Sequence, residues 1–175
     1  MFKYFYSLII VLFAYIAWLS MSEIDPKSSR LACQKEATTF ETIRKPEQMS
    51  EAIKALKSGN YELDSEIRFS KYMKSQLGKY LSVEDVDKML KEVIGVVSKP
   101  SDNALIIDYS VYENDKKDPG KKTKKSKLYA GYIYMNFKIG KTSVYDIQID
   151  YKDLEAKDLK KRIECAISSF LSADL

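Results

Sequence analysis

Three runs in the second half of the chain alternate apolar and polar residues, and this period of two constrains the fold more than any other feature. Asn103 to Glu113 sets Leu105, Ile107, Tyr109 and Val111 on one side. Leu128 to Ile139 does so with Ile133, Met135, Phe137 and Ile139, and Thr142 to Tyr151 with Tyr145, Ile147, Ile149 and Tyr151. Gly140-Lys141 fits a two-residue hairpin turn with glycine first, as type II′ geometry wants. A longer loop containing Pro119-Gly120 joins the first two runs. The expectation is a three-stranded antiparallel meander with one apolar face.

Helical periods flank these strands. Pro46 suits a first helical position, and Met49, Ala52, Ile53 and Leu56 recur at helical spacing before Gly59. Residues 61 to 81 carry two patterns. Tyr61, Leu63, Ile67 and Phe69 alternate, whereas Phe69, Met73, Leu77 and Tyr80 form a helical stripe. A helix is the expectation, with a short fourth strand as the alternative. Ser82, with Asp85 three residues on, caps a helix whose buried face is Val86, Met89, Leu90, Val93, Ile94 and Val97, closed by Pro100. A last helix, Leu154 to Ser172, carries Leu159, Ile163, Ala166, Ile167 and Phe170 as its stripe. The fold class is therefore α+β, with helices packed on the meander. The order of an anchor, helices, a curved meander and a final helix resembles the cone-shaped nuclear-transport-factor-like domains, which also occur on single-pass subunits of secretion machines. The resemblance covers element order and no motif.

The N-terminus supplies an address. Tyr4 to Met21 is an 18-residue run without a charge, behind Lys3 and the amino terminus. As a helix it would reach about 27 Å, close to the hydrocarbon thickness of a bilayer. Its length and its aromatic ends (Tyr4, Phe5 and Tyr6 against Trp18) favour a retained transmembrane signal-anchor, although Ser20-Met21-Ser22 would serve as a cleavage site. Arg30 stands where a lipoprotein signal ending in Leu31-Ala32-Cys33 wants an apolar residue, which argues against lipidation. The division expected is 1–22 signal-anchor or signal peptide, 23–45 polar stalk or linker, and 46–175 exported domain.

Two cysteines, Cys33 and Cys165, are 132 positions apart, so no CxxC motif exists. Cys165 falls some 150° from the apolar stripe of the last helix at 100° per residue, among Asp158, Lys161 and Ser168. A disulfide in which Cys33 crosses that face from the stalk explains the placement, and it fits an exported domain.

The 175 residues contain no histidine, which removes the commonest general base, histidine-based nucleophile systems and histidine metal sites. No phosphate-binding glycine motif, G-x-S-x-G or S-x-x-K occurs, and no carboxylate pair stands in an apolar setting. No catalytic residue, metal or cofactor is expected, and the chain is read as a non-enzyme.

Two features remain. Residues 116–127 hold seven lysines (Lys116, Lys117, Lys121, Lys122, Lys124, Lys125 and Lys127) against one aspartate, a local charge of +6 within a total of +4. The rest of the chain therefore sums to −2, which argues against nucleic acid as partner. The loop suits anionic lipid heads or an acidic surface, or serves solubility alone. On the sheet face opposite the apolar one, Tyr112, Tyr132 and Tyr134 project with Asp108, Asn136, Asp146, Gln148 and Asp150, the composition of an interface or shallow groove. Charged helix positions such as Lys157, Lys160, Lys161 and Arg162 read as solvated surface.

The expectation for function is a single-pass protein of the bacterial inner membrane with a periplasmic domain, an accessory or assembly subunit that contacts other envelope proteins. The alternative is a cleaved, secreted or periplasmic small-ligand binder or inhibitor.

Overall fold

The computed structural model describes residues 30–95, 100, 101, 103–121 and 128–173. In chain order the elements are β1 (Thr39–Ile43), α1 (Met49–Lys57), β2 (Tyr61–Arg68), α2 (Val83–Ile94), β3 (Leu105–Glu113), β4 (Gly131–Ile139), β5 (Thr142–Tyr151) and α3 (Leu159–Leu171). The strands form one mixed sheet in the order β1-β5-β4-β3-β2. β3, β4 and β5 are the expected antiparallel meander, β1 adds antiparallel to β5, and β2 adds parallel to β3. Gly140 takes φ +57° in the two-residue turn between β4 and β5.

β2 is the strand weighed as the alternative at residues 61 to 81, and β1 lies where a stalk was expected. Residues 61–68 form β2 rather than the start of a helix, and the chain then runs irregularly to a 3-10 turn at Leu77–Lys79. The pairing with β3 places Tyr61, Leu63 and Ile67 against the hydrophobic core, which outweighs the helical spacing of Phe69 and its followers. From Arg30 onward the segment expected as stalk is folded: it makes a 3-10 turn at Ala32–Lys35 and then β1. Sheet and helices therefore interleave, unlike the nuclear-transport-factor-like order of helices before strands. No helix among the described residues is long and apolar enough to cross a membrane. The apolar run 4–21, its cleavage site and Val97 lie outside the described residues.

All three helices cover one face of the sheet. Ser82 caps α2 in both directions, its Oγ accepting from the Asp85 N–H (3.2 Å) while Asp85 accepts from the Ser82 N–H (2.9 Å). Gly95, at φ +76°, ends that helix. Under α3 the Phe170 ring stacks on Phe137 at 4.0 Å between centroids and meets Tyr145 edge-on at 5.5 Å. Burial pushes the Tyr145 hydroxyl up strongly, and it donates to Glu41 (2.7 Å) on the neighbouring edge strand.

The N-terminal strap is fastened to α3 at four points. Cys33 and Cys165 are in disulfide geometry, with Sγ atoms 2.08 Å and Cα atoms 5.8 Å apart. Arg30 donates to Glu41 (2.8 and 2.9 Å) and to the Ser169 and Ser172 carbonyls (2.8 and 3.0 Å). Gln34 donates to Ser169 Oγ (2.9 Å), and Glu36 meets Lys161 (2.6 Å) and Arg162 (3.4 Å). Arg162, expected as solvated surface, is buried at 6% exposure because the strap covers it, and Asp158 accepts from it at 3.1 Å.

Candidate functional site: the open sheet face and its corner cleft

Among the described residues no helix covers the second face of the sheet, and strand register arranges its side chains in rows. One row reads Arg68, Tyr112, Tyr132 and Asp150; the next Glu66, Ser110, Tyr134, Gln148 and Phe40; the third Asp64, Asp108, Asn136, Asp146 and Thr42. Every tyrosine-face residue expected from the sequence therefore projects on this side. Tyr112 and Tyr132 stack at 4.7 Å with 21° between ring planes, while Tyr134 stands one row away. The three rings are half-buried, and burial pushes each phenol upward.

The polar members are mostly paired. Lys138 donates to Asp108 and Arg44 to Asp146, and Ser143 Oγ donates to Asn136 Oδ1 (2.6 Å). Asp150, only 5% exposed beside Tyr132, has its carboxyl pushed up by burial. Tyrosine flanked by alternating acid and amide positions thus makes a flat aromatic surface with a charged rim.

At the Tyr112 corner the face deepens into a cleft of ≈ 660 Å³ lined by Glu66, Arg68, Phe69, Tyr72, Tyr112 and Asp118 among others. Its far wall is the loop after β2, which two buried carboxylates hold in place. Glu113 Oε2 accepts from Ser70 N (3.0 Å) and Ser70 Oγ (3.0 Å), and its Oε1 from Gln76 N (2.8 Å) and Leu77 N (3.2 Å). Asp115 Oδ2 accepts from Lys71 N (2.6 Å) and Tyr72 N (2.5 Å). Burial acts to raise the Glu113 pKa, but the backbone hydrogen bonds outweigh it and hold the group at about 2. Asp115 is likewise held low by backbone donors against burial.

The basic loop leaves from this corner. Asn114 accepts from Lys121, whose Nζ lies 5.4 Å from the centre of the Tyr112 ring, a cation–π contact. Lys116 is half-buried and Lys117 exposed; Lys122, Lys124, Lys125 and Lys127 lie outside the described residues. Lys121 is thus the lysine seen to join the loop to the tyrosine face.

Sequence reasoning missed Glu113, Asp115, Arg68, Phe69 and Tyr72. One signal was available for Glu113, which continues the inward-facing row Leu105, Ile107, Tyr109 and Val111. A carboxylate in that row needs buried donors. No group of three or more Cys, Asp or Glu among the described residues is placed to hold a metal ion.

The class defined by these observations is an α+β protein whose mixed five-stranded sheet is covered by helices on one face and, among the described residues, left uncovered by helices on the other. No protein-family model matches the chain. A stretch of 104 residues is 25% identical to part of the DNA-directed RNA polymerase subunit beta of Mesoplasma florum, covering 59% of this chain and 8% of that protein. Among solved structures, a point variant of the PelC dodecamer from Paraburkholderia phytofirmans is similar at TM-score 0.39 and 13% identity, over 78% of this chain and 96% of that one. A second PelC dodecamer from the same organism is similar at TM-score 0.36 and 12% identity, over the same shares.

Proposed function

We propose that the protein is a non-catalytic accessory or assembly subunit of a bacterial envelope complex, working by contact with other proteins. In this reading residues 4–21 hold it in the inner membrane and the folded domain stands in the periplasm. The open sheet face carries the proposal: a stacked tyrosine pair and a third tyrosine in a polar frame, left uncovered by the described helices. Tyrosine offers large contact area at low entropic cost and is enriched where proteins meet. The Cys33–Cys165 pair supports an oxidising compartment.

A photo-crosslinking side chain at Thr42, on the open face, tests this in the native host, with Lys160 on the outer side of α3 as control. The expected result is a discrete adduct from position 42, absent from position 160 and lost in Tyr132→Ala/Tyr134→Ala with unchanged circular dichroism. Equal adducts from both positions, or an adduct indifferent to the two tyrosines, would refute it. One observation favours the second reading, a cleaved small-ligand binder or inhibitor: the corner cleft lies within the roughly 300–1,000 Å³ of small-molecule sites. Retention of residues 1–22 in the mature protein separates the two.

A further inference from the structure

Strand β2 is an edge of the sheet. One flank pairs in parallel with β3 along all eight residues, and no described strand pairs with the other. The strand has no proline and is long enough for its free N–H and C=O groups to act as a template for another strand. Its side chains divide by face. Leu63 and Ile67 are half-buried against the core, while Glu62, Asp64, Glu66 and Arg68 are exposed on the open side. Three carboxylates and one guanidinium leave that side at two net negative charges, and Arg68 is already occupied by Glu66 at 2.7 Å. A second copy of β2 laid parallel would set each carboxylate against itself, and an antiparallel copy about Ser65 would set Asp64 against Glu66 as often as Glu62 against Arg68, so charge gives self-pairing no net advantage. Beyond Arg68 the flank runs into the corner cleft, where Phe69 and Tyr72 stand 45% and 59% exposed on a loop that Glu113 and Asp115 hold in place.

We propose that the free flank of β2 is a strand-addition site for an extended segment of another protein in which Lys or Arg alternates with aliphatic residues. The basic side chains lie over Glu62 and Asp64, the aliphatic ones extend the core beside Leu63 and Ile67, and the residue at the end of the segment enters the cleft. Main-chain hydrogen bonds supply affinity and the alternating side chains supply selectivity. The inference rests on the interaction-protein reading but relies on the β2 backbone edge with Glu62 and Asp64 rather than on Tyr132 and Tyr134.

The test uses the full-length chain in detergent with its cysteines oxidised, and the capped peptides KVKVKVK, EVEVEVE and the scramble KKVVKVK. KVKVKVK is expected to shift β2 amide resonances and to slow hydrogen exchange at the outward-pointing β2 amides, which electrostatic adhesion alone would not do. Glu62→Lys/Asp64→Lys, both solvent-facing, should weaken KVKVKVK about tenfold and transfer the preference to EVEVEVE. Equal binding of KKVVKVK, a charge swap that changes neither peptide, or unprotected β2 amides would each overturn the proposal. Tyr132→Ala/Tyr134→Ala should bind KVKVKVK as the native chain does. If it does so while crosslinking from Thr42 fails, the edge site stands and the open-face reading falls.

Discussion

Replacing Glu113 by Gln should loosen the wall of the corner cleft and destabilise the whole domain. The two carboxylate oxygens serve four donors: Ser70 N, Ser70 Oγ, Gln76 N and Leu77 N. An amide keeps one acceptor oxygen and turns two N–H groups towards the other pair of donors, so one pair loses its partner. Charge-assisted hydrogen bonds of this kind are each worth about 1.5–3 kcal/mol, and the hydroxyl can turn away, which sets the net cost at about 3 kcal/mol. The same hydrogen bonds act on protonation. The carboxyl sits at about 2 rather than 4.5, and at about 1.4 kcal/mol per pH unit this corresponds to roughly 3 kcal/mol. Because the folded-state value is the lower one, this stability is fully present above pH 4.5 and is lost as pH falls towards 2. Urea unfolding followed by circular dichroism at pH 7 should therefore show Glu113→Gln destabilised by about 3 kcal/mol, or about 6–12 °C in melting temperature, and the gap to the native chain should narrow between pH 4.5 and pH 2.5. A gap under about 1 kcal/mol at pH 7, or one independent of pH, would refute the reasoning.

Two further outcomes are expected. Cys33→Ser/Cys165→Ser opens a covalent loop spanning 132 positions, which the chain-entropy model values at about 5 kcal/mol; denaturant unfolding with and without reductant should show a loss of several kcal/mol that reductant no longer changes in the double variant. Gly131→Ala would set a Cβ 2.0 Å from the Tyr112 carbonyl oxygen and 2.3 Å from Tyr151 Oη, so expression or melting of this variant should report a loss above about 2 kcal/mol, with the β3–β4 strand end shifted.

The meander was legible because its inward rows are almost wholly apolar, and the hairpin turn because Gly140-Lys141 leaves it little alternative. β1 was not legible because its hydrophobic signal is inverted. Phe40 faces outward at 42% exposure, while inward-facing Glu41 is satisfied by Arg30, across the strap's 3-10 turn, and by Tyr145, far along the chain on β5. β2 was obscured by Ser65, which breaks the apolar alternation and donates to Asp87 on α2 (3.0 Å) instead. The tyrosine rows follow directly from strand parity. The corner cleft does not, since it depends on a loop whose shape is set by carboxylates at the end of a strand more than 30 residues away.

The fastening of the strap also determines where mechanical load travels. Tension on the chain ahead of Arg30 meets Arg30 and then Cys33 before it reaches β1. Without the cross-link that tension would peel an edge strand of five residues from β5, opening its hydrogen bonds one after another. With the cross-link it passes into α3, whose Ile163, Ala166 and Phe170 are fully buried, and the β1 hydrogen bonds no longer carry it alone. A tether attached at the N-terminus would therefore pull on the centre of the domain rather than on its seam.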